Sequence, residues 1–411
     1  MSSPNKMSPQ ELRASISLAG VFGLRMLGLF IILPVFSLYA IGLGGGQRHL
    51  LVGVALGAYG ITQAILQIPF GWLSDKYGRK PVIYFGLILF AIGSFIAAMA
   101  DNIYFVILGR LVQGSGAISA VVQALAADLT RSEHRTKAMA IIGATIGVSF
   151  ALSIILGPVL NQWIGVPGIF VITGVLALLA IVVVAKAVPN ERIADDANPR
   201  RVEKHLLGAV LRDEQLLRLN FGIFVLHAGM TALFIVTPSL LKQSGLAAEQ
   251  HWKVYLPVVL LSFVLMLPAV MRGDRQGADK RIFVIAIGVL IAGFFVLAAA
   301  TTNFWLLCLG LLIFFTSFNI LEASLPAWIS KRATAANRGT ALSVNSIFQF
   351  LGPAFGGYAS GWLLDHVGPA AVYVFCAVLA ILWWLVALPL QPTPRDKNDN
   401  EALKVKVLEG N

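Results

Sequence analysis

The chain alternates between long apolar runs and shorter polar segments. Twelve runs are long enough to cross a bilayer as a helix, which takes about 20 residues. In the first half they cover about 15–39, 51–73, 81–100, 104–127, 138–163 and 167–188, and in the second about 218–241, 254–271, 282–300, 303–329, 339–363 and 369–390. The pattern therefore predicts an all-α membrane protein with twelve transmembrane helices.

The longest polar segment divides the runs into two sets of six. In each set the first run carries a proline near one end, and the fifth carries a Gly-Pro pair. We therefore expect two six-helix pseudo-repeats. Their predicted bounds are an N-terminal half 1–188, a linker 189–217, a C-terminal half 218–390 and a tail 391–411. Apolar residues recur at helical spacing in the linker, which leaves a helix at the membrane surface and plain disorder both open.

Composition and charge agree with a membrane protein. Of 411 residues, 57% are hydrophobic and 12% are charged, and a soluble domain carries roughly twice that charged fraction. Of the 31 Lys and Arg, all but five lie at the termini or in loops on one side of the predicted bundle. Basic residues favour the cytoplasmic side, so both termini are predicted to be cytoplasmic. The net charge of +11 is then a topology signal and predicts no nucleic-acid partner. Both cysteines lie in apolar runs, so no disulfide framework is expected.

The polar loop between the second and third runs has a specific pattern. Its key residues are Gly71, Asp75, Gly78, Arg79 and Lys80, in the order Gly-x-Leu-x-Asp-Lys-x-Gly-Arg-Lys. Glycine at the first position allows a close helix approach, and glycine at the later position allows a sharp reversal. This loop resembles the cytoplasmic signature of the major facilitator superfamily. The resemblance implies the fold of that superfamily and a transport function.

The same resemblance implies a conformational latch. Asp75 would face the N-terminus of the eleventh helix, near Gly339, where the helix dipole favours an anion. Arg79 could pair with Asp128, which ends the fourth predicted helix. The three charged residues would join the two halves on the cytoplasmic side in the outward-open state and separate in the inward-open state.

A segment of the fourth run resembles the second signature of the superfamily, and segments of the fifth and eleventh runs resemble the signature typical of antiporters. In the fourth run, Arg110 is a cation within an apolar segment, and in related antiporters this arginine is tied to proton coupling. The fifth run carries a partial antiporter motif and the eleventh a fuller one. We expect close helix packing or a flexible kink at Gly143, Gly147, Gly157, Pro158, Gly352, Pro353, Gly356 and Gly357.

Few titratable groups lie inside the predicted helices. Glu322 is the one acid of 20 within an apolar run, and Arg25, Arg110 and His227 complete the set. Intramembrane charges are costly and often functional. We therefore predict proton coupling in a central cavity at these four residues, with Glu322 as the proton site and Arg25 as its possible partner. A fixed Glu322–Arg25 pair that only joins the halves is the alternative.

No ATP-binding loop, metal-ligand cluster or nucleophile constellation occurs in the sequence, so we predict no enzyme and no cofactor. We predict a proton-coupled antiporter that exports small amphiphilic molecules, acting as a monomer in a bacterial inner membrane. Alternatives are a symporter or uniporter for a polar metabolite, which the scarcity of buried polar residues disfavours, and a non-transporting membrane sensor. A similar transporter of the drug/proton antiporter group carries a small cytoplasmic C-terminal domain, and the sequence leaves open whether one has been removed here.

Overall fold

The computed structural model describes residues 7–131, 134–189, 204–276, 279–334 and 337–391. These residues form fourteen α-helices. These are α1 Pro9–Phe30, α2 Leu33–Ala40, α3 His49–Tyr77, α4 Arg79–Ala98, α5 Ile103–Ser115, α6 Ser119–Asp128, α7 Arg135–Ala187, α8 Lys204–Arg212, α9 Glu214–Gln243, α10 Trp252–Gln276, α11 Asp279–Ala299, α12 Phe304–Arg332, α13 Arg338–His366 and α14 Pro369–Ala387.

The helices account for twelve membrane crossings, which confirms the predicted fold class. Ten helical segments are long and apolar enough to span a bilayer. Two of these segments consist of two helices each, α1 with α2 and α5 with α6. The long helix α7 crosses twice, because Gly165 adopts φ 66° and bends the chain there. Helix α13 supplies the twelfth crossing, and its polar positions keep it below the hydropathy of the other spans.

Side-chain caps fix several helix starts, because the first amide groups of a helix lack partners within it. Ser8 and Glu11 form a reciprocal capping box at α1. Asp213 caps α9. Asn102 caps α5 and Asn303 caps α12, each by accepting from the amide three residues later at 3.0 Å. The two asparagines occupy equivalent places in the two halves, which supports the pseudo-repeat.

Two crossings predicted as continuous helices are broken, which corrects the sequence prediction. The first breaks at Ile31 and Ile32, because Pro34 has no N–H to continue the helix. The fourth breaks between α5 and α6, where Gly114 and Gly116 lie against neighbouring backbones. A Cβ added at Gly114 would lie 2.3 Å from the Tyr59 carbonyl oxygen. The chain therefore leaves regular helix geometry at this point, where it lies close to other helices.

The halves meet where α3 packs against α13, α2 against α9 and α7 against α10. Helices α3 and α13 run antiparallel. We call the end of the bundle with Tyr77 and Arg338 the basic face, and the end with His49 and His366 the opposite face. Near the opposite face the backbones touch, since a Cβ added at Gly53 would lie 1.9 Å from the Gly357 carbonyl oxygen.

The predicted linker and tail are only partly described. Residues 190–203 and 392–411 lie outside the described residues, and within 204–217 the chain forms α8 and then begins α9 at Glu214. Helix α8 packs against α9 and α13. The two cysteines, Cys308 and Cys376, are both free.

Candidate functional site

A cavity lies between the two halves of the bundle. Its wall is mostly apolar, with aromatic and aliphatic side chains from α1, α2 and α13. A few polar groups interrupt this surface: Tyr59, Arg110, Ser119 and Gln123 from the N-terminal half, and His227, Thr231, Ser346 and Gln349 from the C-terminal half. Apolar walls with a few placed polar groups are typical of small-molecule sites.

Arg25 is the centre of a buried network in the N-terminal half. Its guanidinium donates to Ser119 Oγ at 2.6 Å and also to the Tyr59 hydroxyl and Gln63 Oε1. It also lies 5.7 Å from the centre of the Phe90 ring. The planar fork of arginine suits several acceptors at once, so this side chain joins α1, α3 and α6 at one point.

Arg110 is the second buried cation, and it lines the cavity. It donates to Gln113 Oε1 at 2.7 Å and lies 5.0 Å from the centre of the Tyr59 ring. Gln113 in turn donates to Ser94 Oγ at 2.8 Å. In the part of the chain that the structure describes, neither Arg25 nor Arg110 forms a salt bridge. The N-terminal half therefore carries two buried cations held by neutral partners, and one of them, Arg110, lines the cavity.

The one acid that the sequence places within a span contacts two lining residues of the C-terminal wall. Glu322 Oε2 lies 3.0 Å from His227 Nε2, and Gln349 Nε2 donates to Glu322 Oε1 at 3.1 Å. The nitrogen atoms of His227 and Gln349 are themselves 3.0 Å apart. Each carboxylate oxygen thus faces one nitrogen. Helices α9, α12 and α13 meet at this cluster.

The expected Glu322–Arg25 pair is wrong for this conformation. The terminal nitrogens of Arg25 donate to neutral acceptors of its own half, and Glu322 is paired with His227. Charge within apolar runs identified all four titratable residues but not Tyr59, Gln63 and Gln349. Their signal was available, because each is a polar residue within an apolar run. It could not be assigned to a partner, since the contacts join residues far apart in sequence.

The charged residues of the predicted latch are brought together at the basic face. Arg79 Nη1 lies 2.6 Å from Asp75 Oδ1, and Arg79 Nε donates to Asp128 Oδ2 at 3.1 Å. All three belong to the N-terminal half, so here the cluster joins α3, α4 and α6 rather than the two halves. No described residue of α13 pairs with Asp75, and a Cβ added at Gly339 would meet nothing within 4 Å.

The loop between α3 and α4 is a single residue. Gly78 adopts φ 89°, in the left-handed region that favours glycine. Lys80 donates to the Val188 carbonyl oxygen at 2.7 Å, which ties the start of α4 to the end of α7. A Cβ added at Gly71 would meet no described atom within 4 Å, so the close helix approach expected there is not made by the described residues in this conformation.

The glycines of the two antiporter-like segments differ in their surroundings. Those at Gly157, Gly352, Gly356 and Gly357 lie against backbone carbonyl groups, and an added Cβ at each would come within 2.5 Å of one. Pro158 and Pro353 lie inside α7 and α13. Gly143 and Gly147 are exposed, with no other atom within 4 Å of an added Cβ. The expected close packing is therefore absent at these two positions.

Another charged contact at the basic face was not anticipated. Glu11 is buried, and besides capping α1 it accepts from Arg131 through the backbone amide at 2.9 Å and through Nε at 3.0 Å. This contact ties the start of α1 to the segment after α6. In the sequence, the only indication of this contact was the capping-box pattern of Ser8 and Glu11.

The chain is similar to known proteins along almost its whole length. It is 42% identical to the inner membrane transport protein YajR of Escherichia coli over 98% of this chain and 91% of that protein. It is 26% identical to the multidrug resistance protein MdtH of Aeromonas salmonicida over 88% of each. A crystal structure of a D-xylose-proton symporter superposes with a TM-score of 0.71 at 17% identity, covering 92% of this chain and 98% of that one.

The family model described as Major Facilitator Superfamily matches residues 18–273 and 247–409. The two matches together cover both halves of the bundle. The chain therefore belongs to the Major Facilitator Superfamily, whose members are membrane transporters and not enzymes.

Proposed function

We propose that this transporter is a proton-coupled antiporter that exports small amphiphilic molecules by alternating access, with Glu322 as its proton site. The observation that carries the proposal is the Glu322–His227–Gln349 cluster, in which His227 and Gln349 line a largely apolar cavity and both contact Glu322. A titratable acid inside a membrane bundle is costly unless it has a function. Among the described residues, its hydrogen-bonding partners are His227 and the neutral amide of Gln349.

Protonation of Glu322 changes which hydrogen bonds the cluster can form. An ionised carboxylate accepts from both His227 Nε2–H and the Gln349 amide. If the proton is added to Oε2, that oxygen becomes a donor and can bond to His227 Nε2 through its hydroxyl group when the ring carries its own proton on Nδ1. One proton therefore alters the contacts among α9, α12 and α13. This couples the charge of the site to helix packing.

The cavity wall supports an amphiphilic substrate. Phe22, Met26, Phe30 and Phe350 provide apolar surface, and Arg110 provides a cation at one side. The similarity to a protein named for multidrug resistance points the same way.

A polar metabolite is disfavoured for a different reason than the one the sequence suggested. Contrary to the sequence expectation, buried polar side chains are numerous, including Gln63, Gln67, Gln113 and Asn345. They bond to other protein groups. They are therefore already satisfied, and a polar substrate would have to displace those bonds.

The basic face is proposed to be cytoplasmic, with both termini on that side. The bias of Lys and Arg toward this side of the bundle supports the orientation. The same proposal keeps Asp75, Arg79 and Asp128 as the cytoplasmic latch. In the outward-open state Asp75 would reach the N-terminus of α13, which it does not contact here. The protein is proposed to act as a monomer, with a small molecule and protons as its partners.

The test is transport in proteoliposomes by Glu322→Gln, which keeps the shape of the side chain but holds no exchangeable acid. The probe is an amphiphilic fluorescent dye that the parent protein exports against a gradient. Export driven by an imposed pH gradient is expected to fall to background. Dye exchange without a gradient is expected to stay within about twofold, because no net proton movement is needed.

The matched control is Glu249→Gln, which makes the same change at an acid in the 3-10 helix Ala248–Gln250, outside the cavity. It should leave both modes of transport unchanged. Gradient-driven export at the parent rate in Glu322→Gln would show that the proton site lies elsewhere, with His227 and the Asp75–Arg79–Asp128 cluster as the remaining candidates.

A further inference from the structure

An acid of one half caps a helix of the other half at the opposite face. Asp365, at the end of α13, accepts from the backbone amides of His49 and Leu50 at 2.9 Å each. Its Oδ1 also lies 2.8 Å from His49 Nδ1. One carboxylate therefore satisfies two of the first amides of α3, and the imidazole of His49 adds a third contact.

These contacts favour the ionised form of Asp365, which lies beyond the apolar part of α13. Burial by itself would raise the pKa of this carboxyl group. Hydrogen bonds from the amides of Leu50 and His49 and from the His49 ring outweigh burial, so the pKa of Asp365 is lowered from its usual value. An anion at a helix N-terminus is also stabilised by the helix dipole.

The surrounding backbones fit this contact closely. A Cβ added at Gly361 would lie 2.4 Å from the His49 carbonyl oxygen. One turn further along, Gly357 of α13 lies against Gly53 of α3. Helices α3 and α13 can therefore approach each other at this face only because both carry glycine there. The Asp365 carboxylate reaches the first amides of α3 at the end of this region of close contact.

The arrangement is the reciprocal of the predicted latch at the basic face. Helices α3 and α13 are antiparallel, and each carries an aspartate in its last turn. Asp75 of α3 would reach the N-terminus of α13 at the basic face, whereas Asp365 of α13 reaches the N-terminus of α3 at the opposite face. In this conformation the second contact is made. The first is not, since Asp75 pairs with Arg79 and with no described residue of α13.

We propose that Asp365 and His49 form the gate of the opposite face, as positioning residues that hold that face closed. The gate is released when the opposite face opens, and the Asp75 contact at the basic face then replaces it. This inference rests on the alternating access of the proposed function, but not on Glu322 as the proton site.

The test measures distances across each face by electron paramagnetic resonance in detergent and in lipid nanodiscs. Spin labels are placed at Met99→Cys and Trp305→Cys for the opposite face. A second pair, Lys137→Cys and Arg281→Cys, reports on the basic face. All four side chains are exposed, and Cys308→Ser and Cys376→Ala remove the native thiols.

In Asp365→Asn the ratio of closed to open molecules at the opposite face is expected to fall about tenfold, the effect of losing charge-assisted hydrogen bonds. The opposite-face distance should lengthen and the basic-face distance should shorten. His49→Ala keeps the amide contacts and should shift both distances in the same direction by a smaller amount. That variant preserves the test if Asp365→Asn fails to fold.

The matched control is Asp101→Asn, which removes the same charge at the same face, where the Asp101 carboxylate accepts a hydrogen bond from the adjacent Asn102 side chain. Unchanged distances in both gate variants would overturn the proposal, and so would an equal shift in Asp101→Asn. The distance measurement needs neither dye nor proton gradient. Failure of the Glu322 test would therefore leave the gate result unaffected, and failure of the gate test would leave the Glu322 result unaffected.

Discussion

The two walls of the central cavity carry charge in different ways. On the N-terminal side, Arg110 lines the cavity and Arg25 donates to the lining residues Tyr59 and Ser119, so that neutral acceptors hold both permanent cations in position. On the C-terminal side, Glu322 contacts His227, and both belong to residue types that can gain or lose a proton. The neutral amide of Gln349 bonds to the other carboxylate oxygen. One side therefore carries permanent cations, whereas the other carries the proposed proton site.

The difference indicates a division of roles. A fixed cation can orient a substrate or hold helices together, but it cannot release a proton near neutral pH, because the arginine side chain stays protonated. A carboxyl group in contact with a histidine can exchange protons. Changes in the N-terminal wall should therefore damage every mode of transport, and changes in the C-terminal wall should damage only the mode that uses protons.

The largest expected effect is that of Arg25→Lys. A lysine ammonium is a single point of attachment and cannot replace the guanidinium fork that reaches Ser119, Tyr59 and Gln63. We expect gradient-driven export and dye exchange both to fall about a hundredfold, from the loss of at least two charge-assisted hydrogen bonds. Both rates are measured in the same proteoliposome assay.

Arg218→Lys is the control, because Arg218 pairs with Glu214 outside the cavity at 3.3 Å. It should leave both rates near those of the parent. Loss of gradient-driven export alone in Arg25→Lys would break the comparison, since it would give the N-terminal wall a direct part in proton coupling.

A smaller and more selective effect is expected for Gln349→Leu. The change keeps the volume of the side chain but removes the donor to Glu322. Gradient-driven export should fall about tenfold, the typical effect of one hydrogen bond to a charged group. Exchange should stay within about twofold.

Tyr358→Phe is the control on the same helix. It removes one hydroxyl from an exposed side chain that does not line the cavity, so neither rate should change. Equal losses of both rates in Gln349→Leu would assign Gln349 to substrate binding and would remove the distinction between the walls.

The smallest expected effect is that of Asp75→Asn, outside both walls. Loss of an anion near a helix N-terminus changes the equilibrium by about threefold. Export and exchange should fall together by that factor, because both require alternation. Cysteine accessibility should shift toward the conformation that is open at the basic face. Unchanged rates and accessibility would make Asp75 an ordinary acid of the loop.

The spans were predictable because burial in lipid imposes a length and a composition. Helix α3 shows this well, since its apolar run and its polar end at the 71–81 loop are both visible in the sequence. The breaks were harder to see. The interruption between α5 and α6 depends on how closely Gly116 approaches Gly86 of another helix, and no local pattern encodes that distance.

The candidate site was predictable in its residue types but not in its pairs. Charge within an apolar run identifies Arg25, Arg110 and Glu322. Depth along a helix suggested Arg25 as the partner of Glu322, but it gives no information on which way a side chain points. The actual partner, His227, is 95 positions away in the sequence, and only the packing of α9 against α12 brings the two together.

The most direct test of the central claim is an infrared pH titration of the purified transporter. Protonated carboxyl groups absorb separately from carboxylates, so the difference spectrum between acidic and alkaline samples reports each acid that titrates. We predict a carboxyl component in the parent protein that is absent in Glu322→Gln, retained in Glu249→Gln and altered in Gln349→Leu. Identical difference spectra for the parent and Glu322→Gln would contradict the account, because Glu322 would then keep one protonation state throughout.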